Sequence, residues 1–245
     1  MRTMNFAKRN FKEIIRDPLS VVFAVLLPLL LLFIFQQFKI PSDNYRLENF
    51  TPGIVVFGFS FISMFTATLV SKDRTSSFLI RLGVSPMKPV EYILGYVLAI
   101  IPMIALQNVL FFILAVVLGL PFSVHIIWAI LVSFAVSVLF IALGIIIGSV
   151  FSEKASSGIA SIVVQLVCFT SGMYFPREML GKGFSKVCEF LPFESCVTII
   201  KGVMNNDLAG ITPRNIIVFA AYTVVVFVIA VVLFQKKMLS DNKGS

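Results

Sequence analysis

The sequence predicts an all-α membrane protein with six transmembrane helices, and three observations carry that prediction. Hydrophobic residues make up 58% of the 245 residues and charged ones 13%, with a mean hydropathy of +1.00. An ordinary soluble domain is roughly 45–50% apolar and 25% charged, so its core cannot absorb this excess. The apolar residues gather into six stretches: Leu19 to Phe38, Pro52 to Val70, Val90 to Leu118, Val124 to Val150, Ser156 to Tyr174 and Asn215 to Phe234. Each meets or approaches the roughly 20 residues that take a helix across about 30 Å of hydrocarbon. Charge is confined to the gaps between them. A closed β-barrel needs alternating segments of about ten residues, and continuous runs such as Val224 to Leu233 exclude it.

The net charge of +8 is read as topology, with the lipid bilayer and not nucleic acid as the partner. Six spans put both termini on one side. That side carries Arg2, Lys8, Arg9, Lys12, Arg16, Lys72, Arg74, Arg81, Lys88, Lys154, Lys236, Lys237 and Lys243, whereas seven basic residues fall on the other, five of them in one long loop. The bias places both termini in the cytoplasm, where these residues meet anionic headgroups.

The whole chain, 1–245, reads as one transmembrane domain. Over 1–17, Met4, Ala7, Phe11, Ile14 and Ile15 recur at helical spacing with Lys8, Arg9, Lys12 and Arg16 on the other faces, the pattern of an amphipathic helix lying in the membrane surface. A plain anchor is the alternative reading. Asp17 and Pro18 break this helix. Gln36, Gln37, Phe38 and Lys39 follow the first span where a signal peptide would carry a small-residue cleavage site, so the span is retained.

Between spans two and three, residues 71–88 are too polar for the membrane and too short for a domain. Phe78, Leu79 and Leu82 share one helical face between Arg74 and Arg81, and Gly83 and Pro86 stop the helix. Apolar residues exposed this way make a docking knob for another subunit, or else touch headgroups. Span three carries Pro102, Gln107 and Asn108 and is long enough to tilt or kink. In span four, Gly144 and Gly148 continue through Ser137 and Ser133 as a close-packing face. Span five repeats small residues at Gly158, Ser161, Cys168 and Gly172, with Gln165 among them needing a partner or water. Residues 172–213 alternate Phe175-Pro176, Phe184 and Phe190-Leu191-Pro192-Phe193 with charged residues, which predicts short interfacial or re-entrant helices outside the membrane. Cys188 and Cys196 would stand about 12 Å apart on one continuous helix, too far for a disulfide; a fold at Pro192 leaves the pairing open.

Catalytic constellations are missing from the sequence. His125, the single histidine, sits beside Trp128 at the end of span four, where a belt or packing role fits better than metal binding. Gly181-Lys182 is followed by Gly183, not Ser or Thr, so there is no Walker lysine motif. No acid lies inside a span, Glu91 coming nearest, whereas ion-coupled carriers hold their ion at the midplane. Energy for uphill transport must therefore come from another chain.

This arrangement resembles the membrane subunit of type-2 ABC exporters over nearly its full length. Met4 to Arg16 looks like the family's elbow helix. Arg74 to Pro86 followed by Glu91-Tyr-Ile-Leu-Gly95 is similar to its coupling-helix region, although Ser77-Phe78 stands where many members carry Gly-Thr, and Thr75 where they carry an acid. Ser171-Gly-Met-Tyr-Phe-Pro176 and Leu191-Pro192-Phe193 look like its external re-entrant segment. The resemblance implies an ABC ATPase partner contacted through Arg74, Thr75, Ser77, Phe78, Leu79, Arg81 and Leu82. It further implies a second permease subunit, identical or paralogous, and a bacterial plasma membrane location. This chain would hold no cofactor, with ATP and Mg held by the ATPase.

The implied substrate route runs between two six-helix bundles along spans two and five. Candidates there are the stripe Phe57, Phe61 and Phe65, with Ser60, Thr66 and Thr68 nearby, and Gln165 and Phe169. Such a lining suits an amphipathic or apolar cargo: a drug, an antimicrobial peptide or a lipid. Ordinary packing is the alternative for the phenylalanines. A self-contained carrier or channel, a toxin-immunity or sensing subunit and a membrane-embedded enzyme are the competing functions.

Overall fold

The structure is a computed structural model describing residues 2–38, 40–75, 87–175 and 181–241. Nine α-helices are found among these residues: α1 Arg2–Arg16, α2 Pro18–Gln37, α3 Leu47–Thr75, α4 Pro89–Val117, α5 Val124–Val150, α6 Glu153–Thr170, α7 Lys182–Phe190, α8 Phe193–Met204 and α9 Pro213–Asp241. Two 3-10 turns, Asp43–Tyr45 and Leu208–Gly210, complete the described regular structure, which contains no strand.

Helix α3 is the central pillar. Nearly every residue from Phe50 to Val70 is buried, and α2, α4, α5, α6 and α8 all pack on it. Its closest neighbour is α5, because the predicted small-residue face is used there. A Cβ on Gly144 would collide with the Ser63 carbonyl oxygen and the Thr66 side chain, and one on Gly148 would stand 2.5 Å from the Ala67 carbonyl oxygen. Ser133 and Ser137 are buried on the same helix. At α4, Gln107 donates from Nε2 to the carbonyls of Ala24 (2.9 Å) and Gly58 (3.1 Å), joining three helices deep in the bundle. The neighbouring Asn108 is fully buried, and neither polar atom of its side chain has a partner among the described residues. Helix α9 lies on α5, α8 and α4 and turns Ile216, Ile217, Val224, Val225 and Val228 outward, an apolar surface suited to lipid.

Helix boundaries have local causes. Proline at Pro18 starts α2 after the break at Asp17, and α1 and α2 meet at 64°. Pro89 opens α4, where the Lys88 backbone N–H donates to Glu91 Oε2 at 2.6 Å. Ser123 caps α5 by accepting from the His125 N–H at 3.0 Å. Gly172, at φ 74°, follows the end of α6, a left-handed position that glycine fills without strain. Tyr174 therefore lies beyond the helix that was expected to contain it.

Among the described residues, four helices are long and apolar enough to cross a membrane: α3, α4, α5 and α9. The bent pair α1 and α2 meets the same criteria only when its two helices are taken together, which gives five candidate spans if the pair is one broken span. The remaining expected stretch, α6, does not join them on composition, because Glu153, Lys154, Ser156, Ser157, Ser161 and Gln165 dilute its 18 residues. In the region between α6 and α9, α8 is 12 residues long, about 18 Å and too short to cross. It packs instead among α5, α3 and α9, with Cys196 and Ile200 fully buried. Cys188 and Cys196 are buried thiols without a disulfide.

Helix α1 buries part of its predicted apolar face, with Ala7 and Ile14 buried and Phe11 half-buried. Met4 and Ile15, assigned to its apolar face, are exposed, while Phe6, Ala7, Asn10 and Ile14 are buried. The Phe6 ring sits on α4 at Gly95, where a Cβ would collide with it. Phe6 packs edge-on against Tyr92 (5.4 Å) and Tyr96 (5.0 Å).

Candidate functional site

The α3 phenylalanine stripe connects two contrasting ends of the bundle. At the α1 end, Phe61 and Phe65 form the floor of a cleft of about 140 Å³. Ala24 of α2, Met64, Thr68 and Leu69 of α3 and Ser157 of α6 complete its walls, with Glu13, Asp17 and Lys72 beside it. The cleft is apolar at its base and charged near α1. The hydroxyls of Ser60, Thr66 and Thr68 turn back to the carbonyls of Phe57, Ile62 and Met64 on their own helix, so they soften the apolar wall only slightly.

Toward the far end the stripe closes. Phe57 packs edge-on against Phe61 (5.2 Å) and Tyr174 (6.3 Å). Tyr174 touches Phe35 and Phe50 at 5.3 and 6.2 Å, and Phe35 stacks on Tyr45 at 5.6 Å with a 9° tilt. The rings are pinned by backbone contacts. Tyr45 Oη donates to the Tyr174 carbonyl at 2.7 Å, and Asn44 Nδ2 to that of Met173 at 2.8 Å. One aromatic cluster thus joins α2, α3, the Asp43–Tyr45 turn and the segment after α6.

Gln165 and Phe169 lie elsewhere, on the outward face of α6. Both are exposed, Phe169 stacking on Phe175 at 6.0 Å, with Ser161, Ile162 and Leu166 on the same face. Neither lines the cleft that Phe61 and Phe65 form, so the structure divides the candidate route residues between two surfaces.

Of the candidate ATPase contacts, Ser77, Phe78, Leu79, Arg81 and Leu82 lie outside the described residues. Arg74 and Thr75 end α3. Arg74 turns toward its own chain: it donates to the carbonyls of Ser149 and, at 2.9 Å, Phe151, satisfying acceptors that the end of α5 leaves open. Thr75 is exposed, with its hydroxyl on the carbonyls of Ser71 and Lys72.

The same last turn of α3 holds a polar node that sequence reasoning missed. Asp73 is 2% exposed; one carboxylate oxygen pairs with Arg9 and the other accepts from Tyr96 Oη at 2.9 Å. Arg9 also donates to the buried Asn10 (2.8 Å), and Glu13 bridges Arg9 and Lys72 at 3.5 and 3.4 Å. The usable signal was Phe6, Arg9, Asn10 and Glu13 recurring at helical spacing, a second face of α1 that the basic count concealed. Among the described residues no group of three His, Cys, Asp or Glu side chains is placed to hold a metal.

A family model described as ABC-2 type transporter matches residues 2–205, from α1 through α8. No curated protein matches the chain. The match covers both the cleft and the aromatic cluster. The chain belongs to the ABC-2 type transporter family, as a multi-pass membrane component of an ABC transporter whose membership implies an ABC ATPase partner.

Proposed function

We propose that this chain is the permease subunit of an exporter moving an amphipathic or apolar cargo, such as a drug, an antimicrobial peptide or a lipid. The observation that carries the proposal is the asymmetry of the α3 stripe. Its Phe61–Phe65 half floors a cleft at the α1 end, and its Phe57 half packs into an aromatic cluster toward the other. In this reading the α1 end is cytoplasmic, as are both termini, and the structure corresponds to a state ready to load from the inside of a bacterial plasma membrane. Six spans per subunit include α6, whose outward face, with Gln165 among Ile162, Leu166 and Phe169, meets a second permease subunit instead of lipid. ATP and Mg bind the partner ATPase. Closure of the ATPases moves the segment around Phe78 and Arg81, tilts α3 and α4, and switches the cleft from one side to the other.

The test is transport into inside-out vesicles carrying the permease with its ATPase. Two probes are used: a fluorescent lipophilic cation and a fluorescent phospholipid analogue. ATP-dependent accumulation of at least one probe is expected, absent without the ATPase and lost in the Phe78→Ala/Arg81→Ala pair while insertion persists. Accumulation by the permease alone points to a self-contained carrier and sinks the proposal.

A further inference from the structure

The eleven residues that the structure leaves undescribed between Thr75 and Met87 run from the last turn of α3 to the first turn of α4, and both of these flanks are tied to α1. On the α3 flank, Arg9 pairs with Asp73. On the α4 flank, the Phe6 ring fills the space at Gly95 and packs on Tyr92 and Tyr96. Tyr96 closes the loop by donating to Asp73 Oδ2 at 2.9 Å. Phe234 of α9 stands 6.2 Å from both tyrosine rings.

We infer that α1 is a brace across the two feet of the coupling segment, with Arg9, Asp73 and Tyr96 as positioning residues that make α3 and α4 move together. The inference rests on the ATP-driven reading above. Its physical basis is stiffness. A charge-assisted pair whose carboxylate is buried and also held by a tyrosine hydroxyl has few alternative arrangements, although its guanidinium is partly exposed, and such a pair adds little net stability. Without the brace a push on the segment is taken up by independent bending of the two helix ends. With it, α3 and α4 tilt as one body, and the displacement reaches the far end.

The test follows distances between spin labels in the complete complex in bilayers, comparing ADP with vanadate-trapped ATP. The native cysteines are replaced by alanine. One label pair reports the α1 end, at Val90 and Lys154; the other reports the far end, at Val117 and Phe175. All four side chains are exposed and lie outside the polar node. Both pairs are expected to shift by about 2 Å or more in the parent, the scale of helix movements in switching transitions. In Arg9→Gln and Asp73→Asn the near pair still shifts and the far pair does not, while Arg9→Lys, which keeps the charge, restores the far shift. Tyr96→Phe removes one hydroxyl only and is the variant least able to disturb folding; it should reduce the far shift at least twofold.

A far shift unchanged in Arg9→Gln and Tyr96→Phe overturns the brace. So does loss of both shifts together, which would make α1 part of the ATPase contact instead. If neither pair moves in the parent, the ATP-driven reading itself fails and the brace falls with it.

Discussion

At the residue scale, the positions that matter most are those where helix backbones touch. Gly144 has no room for a methyl group, because the obstructing atoms include a backbone carbonyl oxygen of α3 that cannot rotate away. Gly144→Ala should therefore destabilise the α3–α5 contact by about 1–3 kcal/mol, the usual range for overpacking. Gly158→Ala is the control, since a Cβ there meets nothing within 4 Å. Thermal unfolding of the two variants in detergent should separate them, and equal midpoints would contradict the close approach. The importance of Gly144 was legible in the sequence because a small-xxx-small spacing has one dominant use in a membrane helix. Arg9 and Asp73 were not legible as a pair. They are 64 positions apart, and nothing in either local pattern states which basic residue of α1 faces inward. The role of Arg74 was hidden for the same reason: its acceptors belong to the end of a helix some 75 residues away.

At the element scale, long apolar runs located α4 and α5 closely, whereas α3 extends beyond both ends of its apolar stretch and α9 continues past Phe234 to Asp241. Helix α6 was harder, since its apolar and polar residues are interleaved around the axis. Its buried side, Ala160, Val164, Val167 and Thr170, packs toward α3, and Ser161, Gln165 and Phe169 face outward. A glutamine amide facing hydrocarbon is costly, so in the dimeric reading this face meets its counterpart in the second subunit. Single cysteines at Ser161 and Gln165, in a chain whose native cysteines are replaced, should cross-link two copies in membranes with an oxidant. Cysteines at Val224 and Val228, on the exposed face of α9, should not. Cross-linking at α9 alone would move the interface away from α6. Helix α1 shows the limit of amphipathic reasoning. The apolar positions were identified, but the inward-facing Phe6, seated at Gly95, and the buried Asn10 were not.

At the scale of the whole molecule, the proposed alternating access requires that the aromatic cluster open when the ATPases close. Tyr174 is its hub, touching Phe35, Phe50 and Phe57. At about 0.5–1.5 kcal/mol for each aromatic pair, the three contacts contribute about 1.5–4.5 kcal/mol to this packing. Removing the ring leaves the backbone bond from Tyr45 to the Tyr174 carbonyl available, so the segment after α6 retains an anchor. A cysteine at Phe57, 5% exposed in this state, reports whether the route is open to the far side when probed with a membrane-impermeant thiol reagent. In ADP its labelling should be slow, and trapping ATP should raise the rate about tenfold or more, the equivalent of about 1.4 kcal/mol in the opening equilibrium. Adding Tyr174→Ala should raise the ADP rate toward the ATP rate, because the closed state then also loses the contacts to Phe35 and Phe50, the one to Phe57 having gone with the cysteine, while the ATP-bound state loses none. If the rate in ADP stays low in Tyr174→Ala, the cluster is ordinary packing and the far end is closed by something else. If labelling is fast in ADP even with Tyr174 in place, the structure is not closed at that end, and the direction of loading proposed for the cleft at Phe61 and Phe65 is reversed.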